Sequence, residues 1–250
     1  MRHTLNRRRN LLIVIVVMRF CLTGVACAQD LYSSQDIVVQ KSVLLFDYPE
    51  PVRIRVTSGF DTVERLDSPV PAVICADSIR MESTLDCFIA KTKEDVYFDD
   101  PHAELVTLEG SHKAILFSAN WNGQGSGATL LWALLVLNRD GLWKNLLPEV
   151  TTSNQNDHLF WHFDALSKTG FLSLADYIWG KGEDHYGAHQ YTIRTYEFCP
   201  NSGKFEPADE FVTSKKFEPV DAPQPYVVVG PTLPEIQRRL RQKAATVCPK

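Results

Sequence analysis

The residues best suited to do chemistry in this sequence lie in one short segment. Glu183, Asp184, His185 and His189 are close together, and the two histidines have the four-residue spacing that places two metal ligands on one face of a helix. Three glycines in and around the segment instead predict a loop. We therefore interpret it as an acidic binding loop with hydrogen-bonded histidines and expect no metal and no cofactor. A loop-borne metal site with His162 as third ligand is the alternative.

Paired carboxylates are the second chemistry to consider. Asp176 and Glu183 have the residue type that a glycan hydrolase uses as acid and as nucleophile or base. In an acidic chain, however, carboxylates lie near one another by chance, and no motif here fixes their geometry. We therefore predict no catalytic residue.

A glycine-rich stretch at residues 123–128 matches the dinucleotide-binding pattern Gly-x-Gly-x-x-Ala. Phosphate binding needs a helix to begin there, whereas the apolar run 129–137 that follows is typical of a strand. Ser126 also lacks the glycines that a nucleophile elbow carries two residues before and two residues after its serine. The stretch therefore predicts a flexible turn between strands.

Aromatic side chains offer a further kind of binding surface. The five tryptophans are Trp121, Trp132, Trp143, Trp161 and Trp179. Flat rings can line a carbohydrate-binding face, but in a small β-rich domain most of them pack in the core, and their spacing does not separate the two interpretations.

The first 28 residues predict an export signal. Four arginines precede the apolar run 11–18, and Ala26-Cys27-Ala28 supplies a small-residue cleavage site before Gln29. The run has eight residues, against about 20 for a membrane-spanning helix, so no stable membrane span is expected. Cys27 is also the position that a lipoprotein signal would lipidate, although the expected leucine is displaced. We expect a periplasmic or secreted protein.

Removal of this segment makes the chain distinctly acidic. It takes away five of the 26 Lys and Arg side chains and none of the 30 Asp and Glu side chains, which leaves a net charge of −9. Repulsion between like charges disfavours nucleic acid and anionic lipid and favours a basic partner, such as a basic protein of the cell envelope. Simple solubility is the alternative explanation of the charge.

Four cysteines remain beyond residue 28, and four allow three pairings. Cys75 and Cys87 flank a span that fits two short strands and a turn, Cys199 ends a predicted strand, and Cys248 lies in the terminal tail. We expect the pairs Cys75–Cys87 and Cys199–Cys248, because the second tethers an otherwise fraying C-terminus. Catalytic thiols and zinc ligands are alternatives that no Cys-x-x-Cys spacing supports.

Short β-branched runs separated by proline and glycine predict a mainly β fold, with antiparallel hairpins in a propeller-like or sandwich-like arrangement and one C-terminal helix. The clearest hairpin turn is Asn138-Arg139-Asp140-Gly141, because glycine tolerates the positive φ that such a turn requires. The expected strands are 37–39, 43–46, 52–56, 73–75, 114–121, 129–137, 171–179, 190–198 and 205–211. The expected regions are 1–28 as signal peptide, 29–110 as an N-terminal β-rich region, 111–222 as a hairpin region and 223–250 as the helix and tail.

The helix is predicted from a capping box. Thr232 and Glu235 have the capping-box spacing, Pro234 falls in the first turn, and the helical run follows at 236–245. Its inner face is expected to pack on the end of a sheet. The residues of that face are Ile236, Leu240 and Ala244.

Three segments carry a family resemblance: Ala175-Asp176-Tyr177-Ile178-Trp179, the alternating run 191–198 and the turn 200–205. Through them the region 114–217 resembles blades of the FG-GAP or VCBS type of β-propeller, and uncharacterised exported bacterial proteins with partial propeller-like sheets. Such blades often bind calcium through an aspartate-rich turn, but Arg139 replaces an oxygen donor in the corresponding turn, so calcium is not expected. Some proteins of this appearance are immunity proteins against lysozyme-like toxins, and the resemblance implies that function.

Two functions of different classes remain. The first is a non-catalytic binding protein of the bacterial cell envelope, such as an inhibitor or immunity protein, that meets a basic partner through an acidic loop at 181–185 or 94–100. The second is a hydrolase of envelope polymers with paired carboxylates. We favour the first, because the sequence contains no complete catalytic constellation.

N-terminal sequencing of the protein recovered from its native host tests the export signal. We expect the mature chain to begin at Gln29, because the charged segment, the apolar run and the Ala-x-Ala site coincide. A chain that retains residues 1–28 contradicts cleavage. A blocked N-terminus with lipid on Cys27 contradicts an unanchored mature protein.

Overall fold

The part of the chain that the structure describes contains thirteen strands and one helix. The structure is a computed structural model. It describes residues 32–39, 45–59, 70–92, 98–108, 111–121, 129–148, 151–155, 157–163, 169–183, 187–218, 226–243 and 248.

Several predictions from the sequence fall outside these residues and are not tested. They concern the export signal at 1–28, residues 43 and 44 of the expected strand 43–46, the acidic run 94–97, the glycine stretch 123–128, and residues Asp184, His185 and Ala244.

The strands form three sheets that follow one another along the chain. All pairs of the described strands are antiparallel, and all join consecutive strands apart from one pair in the second sheet. The first sheet contains β1 (Tyr32–Val39), β2 (Val52–Gly59), β3 (Val70–Ser78) and β4 (Ser83–Ile89). The second contains β5 (Asp99–Thr107), β6 (Lys113–Trp121), β7 (Thr129–Leu137), β8 (Trp143–Asn145) and β9 (Thr151–Ser153), the last two both paired with β7. The third contains β10 (His158–His162), β11 (Gly170–Tyr177), β12 (Tyr191–Cys199) and β13 (Lys204–Val212). Helix α1 (Val229–Gln242) follows.

The sheets are layered face to face, with the second sheet in the middle. Ile115 and Phe117 of β6 pack with Ile54 and Ile74 of the first sheet. Leu116 of β6, on the opposite face, packs with residues of the third sheet. The other face of the third sheet packs against α1. Residues Tyr32–Lys250 thus form one compact unit, and the mainly β class with antiparallel hairpins and one C-terminal helix is confirmed.

The predicted hairpin turn at 138–141 is confirmed, and glycine has the positive φ expected there. The Asn138 side-chain oxygen accepts hydrogen bonds from the backbone N–H groups of Asp140 and Leu142, both at 2.9 Å. Gly141 has a φ of 79°, in the region that favours glycine. Of the expected strand 43–46, the structure describes Leu45, which makes an isolated bridge to Lys113, and Phe46, which lies in a turn.

Both expected disulfides are present, Cys75–Cys87 and Cys199–Cys248. The first joins directly paired positions of β3 and β4, and the second ties the C-terminal tail to the end of β12. Paired disulfides of this kind indicate an oxidising compartment.

The start of the helix differs from the prediction, and the capping box was wrong. The helix begins at Val229, so Thr232 lies inside it and donates its hydroxyl to the carbonyl oxygen of Val228 at 2.6 Å. Asp157, which precedes β10, takes over the capping role. Its carboxylate accepts the N–H groups of Val228 at 2.7 Å and Val229 at 2.9 Å. A carboxylate at a helix N-terminus satisfies unpaired N–H groups and complements the helix dipole.

The inner face of the helix agrees with the prediction where it is described. Ile236 is fully buried against the third sheet, and Leu240 packs beside it. Across the described ranges, we find no helix with the length and apolar character that a membrane crossing requires.

Replacing Asp157 tests the cap. Asp157→Ala should lower the free energy of unfolding by about 1–3 kcal/mol, because two buried N–H groups lose their acceptor. Urea denaturation measures this loss, and Asp140→Ala, at an exposed turn position, serves as control with a change within about 0.5 kcal/mol. Equal effects of the two substitutions contradict the cap.

Candidate binding site

The acidic segment predicted from the sequence lies in the connection between β11 and β12, at one end of the third sheet. Tyr177 and Tyr191 pair directly as the last and first residues of these strands. The N–H group of Ile178 then donates to the carbonyl oxygen of Gln190 at 2.8 Å. The sheet therefore holds the two ends of the loop together.

A tight turn places the Glu183 carboxylate. The N–H group of Glu183 donates to the carbonyl oxygen of Gly180 at 3.2 Å, and Gly182 within the turn has a φ of 81°. The N–H group of Gly180 in turn donates to Oε2 of Glu183 at 2.7 Å. A Cβ atom on residue 180 would lie 2.5 Å from Cδ of Glu183. The close approach of carboxylate to backbone therefore requires glycine at position 180.

Two side chains from beyond the turn complete the contacts of this carboxylate. Nδ1 of His189 lies 3.1 Å from Oε2, and Lys216 forms an ion pair with Oε1. The backbone of His189 exchanges hydrogen bonds of 3.0 and 2.8 Å with Phe217, which brings the neighbouring Lys216 to the loop. Glu183 thus ties the turn to two other segments of the chain.

These contacts favour the ionised form of Glu183. The hydrogen bond from Lys216 is the largest cause, the Gly180 N–H group adds to it, and together with His189 they lower the pKa of Glu183 from 4.5 to about 2. An ionised carboxylate accepts from Nδ1 of His189, so we place a proton on that nitrogen.

Aromatic rings surround the histidine. The His189 ring lies 5.1 Å from the Tyr177 ring and 5.3 Å from the Trp179 ring, and its side chain is 4% exposed. Burial raises the pKa of Tyr177. Trp179, by contrast, is 46% exposed. The loop therefore presents a tryptophan to solvent beside a turn that the Glu183 contacts hold in place.

The structure brings Glu183 and His189 together, whereas Asp184 and His185 lie outside the described residues. His162 is engaged elsewhere, since its ring nitrogens each lie 3.0 Å from a backbone carbonyl, of Thr169 and of Thr107. Within the residues described, no cluster of three or more His, Cys, Asp and Glu side chains is arranged to hold a metal ion.

Asp176 and Glu183, the carboxylates considered for hydrolysis, belong to two separate ion pairs. Oδ1 of Asp176 accepts the N–H group of Asn154 at 2.7 Å, and Oδ2 accepts Nε of Arg194 at 3.0 Å. Glu183 is held by its own partners, Lys216 foremost. Each carboxylate thus stabilises the fold around it.

Four of the five tryptophans divide between core and surface, and Trp143 is half-buried against the core between the first and second sheets. Trp132 and Trp161 are buried, and their indole N–H groups donate to Ser153 and Ser173 at 2.7 and 3.0 Å. Trp121 and Trp179 are 41% and 46% exposed.

Lys216 and Tyr177 were not predicted as residues of this site, and Trp179 was considered as a binding residue only among the five tryptophans that can line a carbohydrate-binding face. Tyr177 and Trp179 are two residues apart in the run 171–179, which the sequence predicts to be a strand. Their spacing therefore indicates that both side chains lie on the same face of that strand. Lys216 had no such signal, because it reaches the site through the pairing of residues 189 and 217.

Comparison with known proteins gives no match, whether with protein-family models, with curated proteins or with solved structures. The resemblance to propeller blades therefore stays a prediction, and function has to be argued from the site itself.

Acid titration tests the Glu183 contacts. A carboxylate whose pKa falls from 4.5 to about 2 on folding stabilises the protein above pH 4.5, and this stabilisation is lost as the pH falls toward 2. Glu183→Gln should therefore be less stable than wild type at pH 7, and the difference should shrink below pH 4.5. Thermal unfolding between pH 7 and pH 2 measures it.

Glu218→Gln is the control, since Glu218 is an exposed carboxylate one residue beyond Phe217. It should follow the wild-type curve. A stability difference between wild type and Glu183→Gln that is independent of pH contradicts the assigned ion pair.

Proposed function

We propose that this protein is an exported, non-catalytic binding protein of the bacterial cell envelope, periplasmic or secreted, that recognises a basic protein through the β11–β12 loop. The observation that carries the proposal is the exposed Trp179 on a loop pinned by Glu183 to Gly180, His189 and Lys216.

A loop that is already held in one conformation suits recognition, because it loses less conformational entropy on binding than a flexible loop does. Tryptophan is among the residues that most often dominate binding energy, since its ring buries a large area with few rotatable bonds. The packing of Trp179 against Tyr177 and His189 orders the ring before a partner arrives. The described part of the loop thus combines an aromatic anchor with a turn, residues 180–183, that hydrogen bonds hold in place.

The charge of the chain determines the kind of partner we propose. The chain beyond residue 28 carries a net charge of −9, which attracts a basic surface at long range. Glu183 is already paired with Lys216, so we assign it to loop structure and assign the next residue, Asp184, to the partner. A basic lysozyme-like enzyme is the partner class that the proposed inhibitor or immunity function implies.

The carboxylates favour binding over hydrolysis. A glycan hydrolase needs one carboxylic acid that stays protonated at its working pH. Glu183 has a pKa of about 2 and is ionised at neutral pH. Both oxygens of Asp176 already accept hydrogen bonds. Neither residue is therefore suited to be the general acid.

Binding to a basic lysozyme, measured by biolayer interferometry with an acidic protein as negative control, tests the proposal. Trp179→Ala should weaken binding about tenfold or more, because the anchor is lost. Asp184→Lys should mainly slow association, and added salt should reduce that difference.

Trp121→Ala is the matched control, because Trp121 is similarly exposed but lies at the end of β6. It should leave binding unchanged. The proposal fails if Trp179→Ala binds like wild type. It also fails if the purified protein alone cleaves peptidoglycan and loses that activity on Asp176→Asn or Glu183→Gln.

A further inference from the structure

The two disulfides lie in different surroundings. Each bond has one buried cysteine, Cys199 at the end of β12 and Cys75 on β3. The bond of Cys199 to the half-buried Cys248 spans 49 residues of sequence. The bond of Cys75 spans 12 residues and leads to Cys87, which is exposed on β4, the edge strand of the first sheet. Access for an attacking thiolate therefore favours the Cys75–Cys87 bond.

A cationic side chain is aligned with this bond. Arg55 on β2 is directly opposite Cys75 on β3, and Cys75 is directly opposite Cys87 on β4. Side chains of directly paired residues share one face of a sheet. Ile74 and Ala76, on either side of Cys75, point into the core, so the row from Arg55 to Cys87 lies on the outer face.

An open groove adjoins this row. It has a volume of about 530 Å³, and its lining includes Arg53, Arg55, Asp77, Ile79 and Thr84. Arg55 donates to Asp77 at 3.2 and 3.4 Å, and Arg53 is exposed next to them. Asp77 and Thr84, which line the groove, form the pair next to Cys75 and Cys87 along this face, so the groove lies beside the disulfide.

We propose that Cys75–Cys87 is a thiol–disulfide exchange site, reduced by a dithiol protein that docks in this groove. A thiolate of the reductant attacks Sγ of Cys87, the Sγ–Sγ bond breaks, and Cys75 leaves as a thiolate. The second thiolate of the reductant then attacks the mixed disulfide and releases Cys87. Two electrons pass to this protein, its thiolates take up protons from water, and the reductant is left as a disulfide.

Arg55, which also pairs with Asp77, is the cation beside Cys75 in the sheet register, and we assign it to the first step. Cys75 is the leaving group, and a thiolate leaves faster when a neighbouring positive charge stabilises it. Two exposed apolar side chains of the β3–β4 turn provide docking contacts: Ile79, which lines the groove, and Met81 on the same turn.

The hairpin has other contacts that hold it after reduction. Thr84 donates to Asp77 at 2.7 Å, and the N–H group of Met81 donates to Oγ of Ser78 at 3.0 Å. Asp86 on β4 accepts the N–H group of Trp143 in the second sheet at 2.8 Å. Exchange at Cys75–Cys87 therefore does not require the fold to open.

Graded reduction of the oxidised full chain tests the proposal. The protein is incubated with a thioredoxin-type dithiol protein, quenched with an alkylating reagent at intervals and mapped by peptide mass spectrometry. Cys75 and Cys87 should be alkylated about tenfold or more faster than Cys199 and Cys248, while far-UV and near-UV circular dichroism stay native. Arg55→Gln should slow the labelling of Cys75 and Cys87.

Arg238→Gln is the matched control, because Arg238 forms an exposed ion pair with Glu235 on α1, which packs on the third sheet and not on the first. The cysteines of this variant should be alkylated at the wild-type rates. The proposal is overturned if all four cysteines are labelled together with loss of the native spectrum, if Cys199 and Cys248 are labelled first, or if Arg55→Gln and Arg238→Gln have the same effect.

Discussion

The burial of the second sheet on both faces is the constraint on which the rest of the structure depends. Strand β7 is buried along nearly its whole length, and β6 sends alternate residues to the first sheet and to the third. Each fully buried Leu, Ile or Phe contributes about 1.5–3 kcal/mol. Because this sheet forms part of two of the three core clusters, the outer sheets are positioned by packing against it.

Both proposed sites are on the outer sheets, away from this core. The β11–β12 loop extends from the end of the third sheet, and the Cys75–Cys87 bond is on the outer face of the first. A rigid scaffold with function on loops and surfaces is a common division of roles in proteins. Here the loop is also stabilised by its own contacts, since Glu183 connects it to Lys216 and His189.

Local patterns predicted the elements well, and contacts distant in sequence were missed. The turn at Asn138–Gly141 depends on four consecutive residues, and the continuous apolar run 129–137 is what burial on both faces of a strand requires. The helix start was wrong because Asp157, 71 residues before Val228, replaces the local capping box. The sequence identified the acidic residues and the histidines of the site. It did not identify Lys216, because the backbone bridge between residues 189 and 217 brings that side chain to the loop.

Hydrogen–deuterium exchange, with and without a basic lysozyme, tests the central claim that the pinned loop carries function. Binding should slow exchange of amides in peptides that cover residues 178–190, and should leave β2 to β4 unchanged. Protection confined to another surface would contradict the claim, as would unchanged exchange throughout at saturating partner.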